Sequence, residues 1–186
     1  MLPLRDRPGL EPPYLRINLV PQTSWGRNIR ALITPEQWAQ IRRDHVYPST
    51  GYLCLVCGGR GSQWPVEADE VWKYDDKAGV QTLAVIVPLC PDCHLVRSAG
   101  NAVATGRTEE AIHHLSWVER ITSEQADERI RSALNVWRRR SRREWQIDVS
   151  VMAKYYGIQI SHEADQTDAI NRKLIREATR RARRGE

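Results

Sequence analysis

Four cysteines stand as two identical pairs, Cys54-Leu-Val-Cys57 and Cys90-Pro-Asp-Cys93, with 32 residues between them. Two such pairs supply four thiolates at the reach that a tetrahedral Zn²⁺ requires. Gly58-Gly59 follow the first pair and offer the positive φ that turns backbone amides toward the sulfurs. Redox-active C-x-x-C pairs would each need a βαβ context, which neither has, and a reducing cytosol disfavours disulfides. A structural zinc on Cys54, Cys57, Cys90 and Cys93 is therefore expected. His94 comes directly after the second pair, and Glu67, Asp69, Glu70, Asp75 and Asp76 place five carboxylates in ten residues between the pairs. Hard oxygen donors suit Mg²⁺ or Mn²⁺, and an imidazole beside them also tolerates softer ions. Turn chemistry is the simpler account of Asp75 and Asp76. The other histidines, among them His45, His113 and His114, have no partner spacing and read as surface or satisfied core.

Charge is unevenly distributed. The 186 residues carry a net +5, yet Arg138 to Glu186 alone carry +6 and the rest −1. Arg138, Arg139, Arg140, Arg142 and Arg143 form one cluster, and a second, with Arg176, Arg180 and Arg181, lies near the C-terminus. A basic segment on a near-neutral body fits a polyanion, because neutralising phosphates releases condensed counterions. A solvated helix face or tail is the plainer alternative. No run approaches the ~18 apolar residues of a membrane span, and residues 1–20 hold no apolar signal core. These features favour a cytoplasmic protein with no membrane partner.

The elements that must position these residues follow from local patterns. Five prolines in residues 1–24 imply an extended arm, with Tyr14 to Val20 as a short strand. Thr34-Pro35-Glu36-Gln37 reads as a capping box opening a helix, with Trp38, Ile41 and His45 on one face and Trp38 in the core. Val66 to Trp72 and Gln81 to Leu89 read as two strands joined by a turn at Asp75 to Gly79. His94 to Ser98 suit a short helix ending before Gly100. Thr108 opens another helix through Trp117, and Thr122 with Gln125 opens a long one to about Arg143, whose buried stripe is Ala126, Ile130, Ala133, Leu134 and Trp137. Trp145, Ile147 and Val149 alternate as a brief strand, and Asp168 to Arg184 read as a last, basic helix.

A β-hairpin enclosed by two cysteine knuckles, the second opening a helix and followed at once by His, resembles the HNH, or ββα-metal, nucleases. Leu89-Cys90-Pro91-Asp92-Cys93-His94-Leu95-Val96-Arg97 is similar to their L-C-x-x-C-H-x-x-K/R element. Val20 to Trp25, Gly51 to Gly59 and Val66 to Asp76 look like a branch of uncharacterised bacterial and phage HNH-endonuclease-like proteins, the similarity spanning roughly residues 18–158. The resemblance implies that the cysteine zinc is structural. It also implies a second divalent cation between hairpin and helix, with His94 as the helix ligand and Arg97 near the phosphate. Where the relatives carry a His, this chain has Ala68-Asp69-Glu70. If that His is the general base, Asp69 is a weaker one (~3.9 against ~6.5) and the ligand position falls on Ala68. If it is the metal ligand, Asp69 replaces it and Glu70 stands where the base belongs. The second register leaves no position without a competent side chain. No Asn occurs between Glu70 and His94, and Gln81 is the only amide there.

The expected fold is α+β: a small zinc-stapled ββα-metal core with surrounding helices and a basic C-terminal helix. Its parts would be an arm over 1–24, the HNH-like domain with its preceding helix over 25–104, a helical extension over 105–158 and a basic tail over 159–186. Two functions follow. One is a metal-dependent nuclease cutting or nicking DNA, with Asp69 and His94 on Mg²⁺ or Mn²⁺, Glu70 as base, and Lys73 and Arg97 near phosphates. The other is a catalytically degenerate zinc module that binds nucleic acid or a protein partner on the same scaffold.

Overall fold

The computed structural model describes residues 15–160 and is α+β, built on a three-stranded sheet in the order β1-β2-β3. Strands β1 (Glu67–Asp75) and β2 (Val80–Leu89) form an antiparallel hairpin running from Glu67↔Leu89 to Asp75↔Val80, with a register shift at Val71/Trp72. Asp75 closes the turn by accepting from the amides of Lys77 and Ala78, and Gly79 takes φ +75°. β3 (Gln146–Asp148) adds parallel to β2 but reaches only Thr82. Pro88 has no N–H for the ladder, while its carbonyl accepts from Leu55 N at 2.9 Å and ties the first cysteine loop to the strand.

Alternation along the hairpin divides the core in two. Val71, Val85, Val87 and Leu89 face α3 (Pro91–Arg97), α4 (Ala99–Ala104), α5 (Thr108–Glu119) and α6 (Ser123–Arg140). Ala68, Trp72, Leu83 and Ile86 face α1 (Ile29–Leu32), α2 (Pro35–Gln40) and α7 (Val151–Tyr156). Thr34 and Gln37 make the expected capping box on α2, and Thr122 and Gln125 the one on α6. After α2 the chain widens into a π-helical segment, Ile41–Val46, which buries Ile41 and Val46.

Three expectations need correction. Leu15 to Val20 form no strand; instead the Asn18 side chain accepts from Trp72 N and donates to Trp72 O, both at 2.9 Å, so an amide replaces a ladder along the free edge of β1. As expected, α3 ends at Arg97, before Gly100, and a separate helix, α4, begins at Ala99 and buries Ala99 and Ala102. α6 ends at Arg140, leaving Arg142 and Arg143 beyond it. Trp137 is half-buried at a cavity rim rather than in the core. The basic helix over 168–184, with Arg176, Arg180 and Arg181, lies outside the described residues. Among the described residues, no helix is long and apolar enough to cross a membrane.

Candidate functional site

The hairpin brings the two cysteine pairs together at its open end. The sulfurs of Cys54, Cys57, Cys90 and Cys93 all lie within 4.8 Å of one another, a set that can hold a metal ion. Sulfurs sharing a tetrahedral Zn²⁺ at ~2.3 Å stand roughly 3.8 Å apart, and the Cys57–Cys90 separation is 3.6 Å. The Gly59 amide points at Cys57 Sγ (3.4 Å) and the Cys93 amide at Cys90 Sγ (3.5 Å), so backbone donors already face the sulfurs. Hydrogen bonds from Cys90 and Cys93 hold the Cys54 thiol strongly down, whereas Cys54 in turn pushes Cys90 up to about 12 and, with Cys90, pushes Cys93 up. Sulfurs this crowded tolerate one thiolate, and a dication is what allows four.

His114 was missed from sequence. It projects from α5 with Nε2 3.1 Å from Cys93 Sγ, and burial holds its imidazole toward the neutral form. A neutral ring with its proton on Nε2 donates to the thiolate, the kind of outer contact that orients a metal ligand. The interval from Cys93 to His114 matches no ligand spacing; the available signal is that Ala111 and Leu115 bury the same side of α5.

The second cluster is positioned by the first. Cys90 caps α3, Pro91 starts it and Cys93 anchors its first turn, so the adjacent His94 is held over β1. Glu67 and Asp69 share the sheet face with Val71. His94 Nδ1 lies 2.5 Å from Glu67 Oε2, and Nε2 lies 3.5 Å from Asp69 Oδ1. Asp69 Oδ2 accepts from Arg97 Nε at 2.5 Å. Arg97 is itself 3% exposed and also donates to Arg16 O; its Nη2 is buried with no hydrogen-bond partner among the described residues. The guanidinium assigned to the phosphate is thus inside the fold, bracing a carboxylate.

The Glu67 contact fixes the proton of a neutral His94 on Nδ1, because a carboxylate can only accept. Nε2 then presents a lone pair to an oxygen lone pair of Asp69. Such a pair repels unless a proton or cation lies between. Two donors on one divalent ion at ~2.1 Å stand roughly 3.0–3.4 Å apart, close to the separation found. Glu67, not singled out from sequence beyond its charge, is the orienting residue of this pair.

Glu70 faces the other way. Its oxygens accept from Ile29 N (2.8 Å) and Trp72 Nε1 (3.1 Å), which pins the start of α1 to the hairpin. Burial pushes its carboxyl up to about 7 against those two hydrogen bonds. Lys73 is exposed further along β1 and does not line the cavity described next. Asp69, Glu70 and His94 line a cavity of about 730 Å³, with Arg30 of α1 and Arg138 of α6 on its wall. The remaining arginines divide: Arg140 pairs with Asp76 at 2.6 Å and lies over Tyr74, and Arg143 donates to Asp76 O and lies over Trp145, while Arg139 and Arg142 are exposed. Asp76 therefore does more than turn the chain, since Arg140 holds its carboxyl below the usual range.

Comparisons with protein-family models, curated proteins and solved structures return no match for this chain. Its functional reading stands on its own residues.

Replacing Cys90 by Ala leaves three sulfurs. Metal content by plasma mass spectrometry should fall from about one ion per chain, and the thermal unfolding transition should broaden or disappear; retention of both would reject the cluster as a metal centre. Glu70 makes a separate prediction. A carboxyl raised on folding favours the folded state below its unfolded pKa, and that contribution is lost as pH rises through the folded value. Unfolding free energy should therefore fall by ~3 kcal/mol between about pH 4.5 and pH 7 on account of Glu70. Urea titrations should show that slope flattened in Glu70→Gln, and an unchanged slope would assign it elsewhere.

Proposed function

We propose that the protein is an HNH-like, metal-dependent phosphodiesterase acting on nucleic acid, with DNA the first substrate to test. The supporting observation is the arrangement on His94: one ring nitrogen committed to Glu67, the other facing an Asp69 oxygen that Arg97 holds in place. In this reading the four cysteines hold a structural Zn²⁺, and Asp69 and His94 hold Mg²⁺ or Mn²⁺. When bound, such a cation lowers the pKa of its water and neutralises charge on a phosphate. Glu67 keeps the imidazole in the tautomer that offers Nε2, and Arg97 keeps Asp69 aimed. Arg138 and Arg30 add positive charge to the cavity that a phosphodiester would enter. Glu70 serves as the anchor of α1 rather than as the base, because its oxygens already accept two hydrogen bonds.

One observation favours the second reading, a zinc module that binds nucleic acid or a protein partner without cutting. The Arg97 guanidinium already compensates the charge of Asp69, which weakens its call on a cation.

The deciding assay incubates supercoiled plasmid and circular single-stranded DNA with the protein and Mg²⁺ or Mn²⁺. Wild type should cut, Asp69→Asn and His94→Gln should lose about a hundredfold or more, and Glu67→Gln about ten- to a hundredfold. Cutting that persists in both Asp69→Asn and His94→Gln would sink the assigned site. Tight binding with no cutting under either metal would establish the binding module.

A further inference from the structure

The cavity beside His94 carries a second set of residues that phosphodiester hydrolysis does not need. Trp25 and Trp137 stack at 6.4 Å between centroids with planes 26° apart. Their indole nitrogens donate to one and the same acceptor, Val20 O, at 3.1 and 3.0 Å. Two N–H groups on one carbonyl fix both rings, so the pair is a preset platform rather than two loose side chains. Trp25 is nonetheless 56% exposed, although burying an indole is strongly favourable. Both tryptophans line the cavity that His94, Asp69, Arg30 and Arg138 also line. At about 730 Å³ the cavity has the size of a small-molecule site. A stacked base pair inside a duplex cannot present one base face and one phosphate to such a space.

We propose that this cavity binds a single unstacked nucleotide of a single-stranded nucleic acid, its base against the Trp25–Trp137 platform and its phosphate beside Arg138 and Arg30. This names the substrate class of the proposed phosphodiesterase and rests on that reading for the role of His94, though not for binding itself. Stacking explains the exposed ring: every base has a π-face, so an aromatic platform holds a strand without reading its sequence. The arginines supply the matching charge, and the strand passes the Asp69–His94 pair because all these groups line one cavity.

The test measures binding by fluorescence anisotropy, using the full chain without added Mg²⁺ or Mn²⁺. The probes are a labelled thymidine homopolymer, which has no secondary structure, and a duplex of matched length. The single strand should bind about tenfold or more tightly than the duplex, and Trp25→Ala should remove about tenfold. Trp25→Phe should restore most of that loss. Trp64→Ala, at a still more exposed tryptophan outside the cavity, should change nothing. Equal affinity for the two probes, or equal effects of Trp25→Ala and Trp64→Ala, would overturn the pocket. Trp25-dependent single-strand binding in a protein that cuts nothing would uphold the pocket and remove the phosphodiesterase. Cutting that depends on Asp69 and His94, with single strand and duplex bound alike, would do the reverse.

Discussion

Four sulfurs within 4.8 Å of one another are a constraint that the rest of the fold obeys. Thiolates at that spacing repel, and only a cation among them lets all four carry charge. The cluster joins the loop after Gly51 to the start of α3, two pieces of chain separated by the whole hairpin. It therefore fixes where α3 begins, and with it the residue that follows the last cysteine. His94 is carried over β1 by Cys93, its neighbour in α3, and oriented there by Glu67.

A hierarchy of supports follows. Glu67 and Asp69 share one face of β1 by strand alternation, and His94 reaches both from α3. Arg97, one helical turn after His94, lies on the same side of α3 and takes the remaining Asp69 oxygen. Burial of that guanidinium is what makes the arrangement rigid: a charge with 3% exposure needs its carboxylate, and the carboxylate cannot swing away. On the opposite face, Glu70 performs a similar duty for α1, and Asn18 closes the edge of the strand between them. The acidic density of β1 thus separates into a pair, Glu67 and Asp69, that contacts His94 and a residue, Glu70, that holds α1.

Much of this was legible in the sequence, because it rests on local rules. Cysteine spacing gave the cluster of four sulfurs, β-branched residues gave β2, and Thr34 and Thr122 with their partners gave two helix starts. The illegible parts depend on tertiary contacts with no local signal. Asn18 in place of a strand, Arg97 turned inward, His114 beside Cys93 and Glu67 on His94 all arise from residues distant in sequence that meet only once the core forms. Glu70 shows the same limit in another form. Its type suited a base, but the bulge at Val71/Trp72 and the start of α1 decided which donors it would meet.

The central claim, that His94 and Asp69 are poised to share a divalent cation, is tested most directly by pulsed electron paramagnetic resonance on the Mn²⁺-loaded protein. The account predicts nitrogen modulation from a directly coordinated imidazole in wild type, lost in His94→Gln and weakened through poorer metal occupancy in Asp69→Asn. Mn²⁺ that binds with no imidazole nitrogen, or with the same nitrogen signal after His94→Gln, would contradict it.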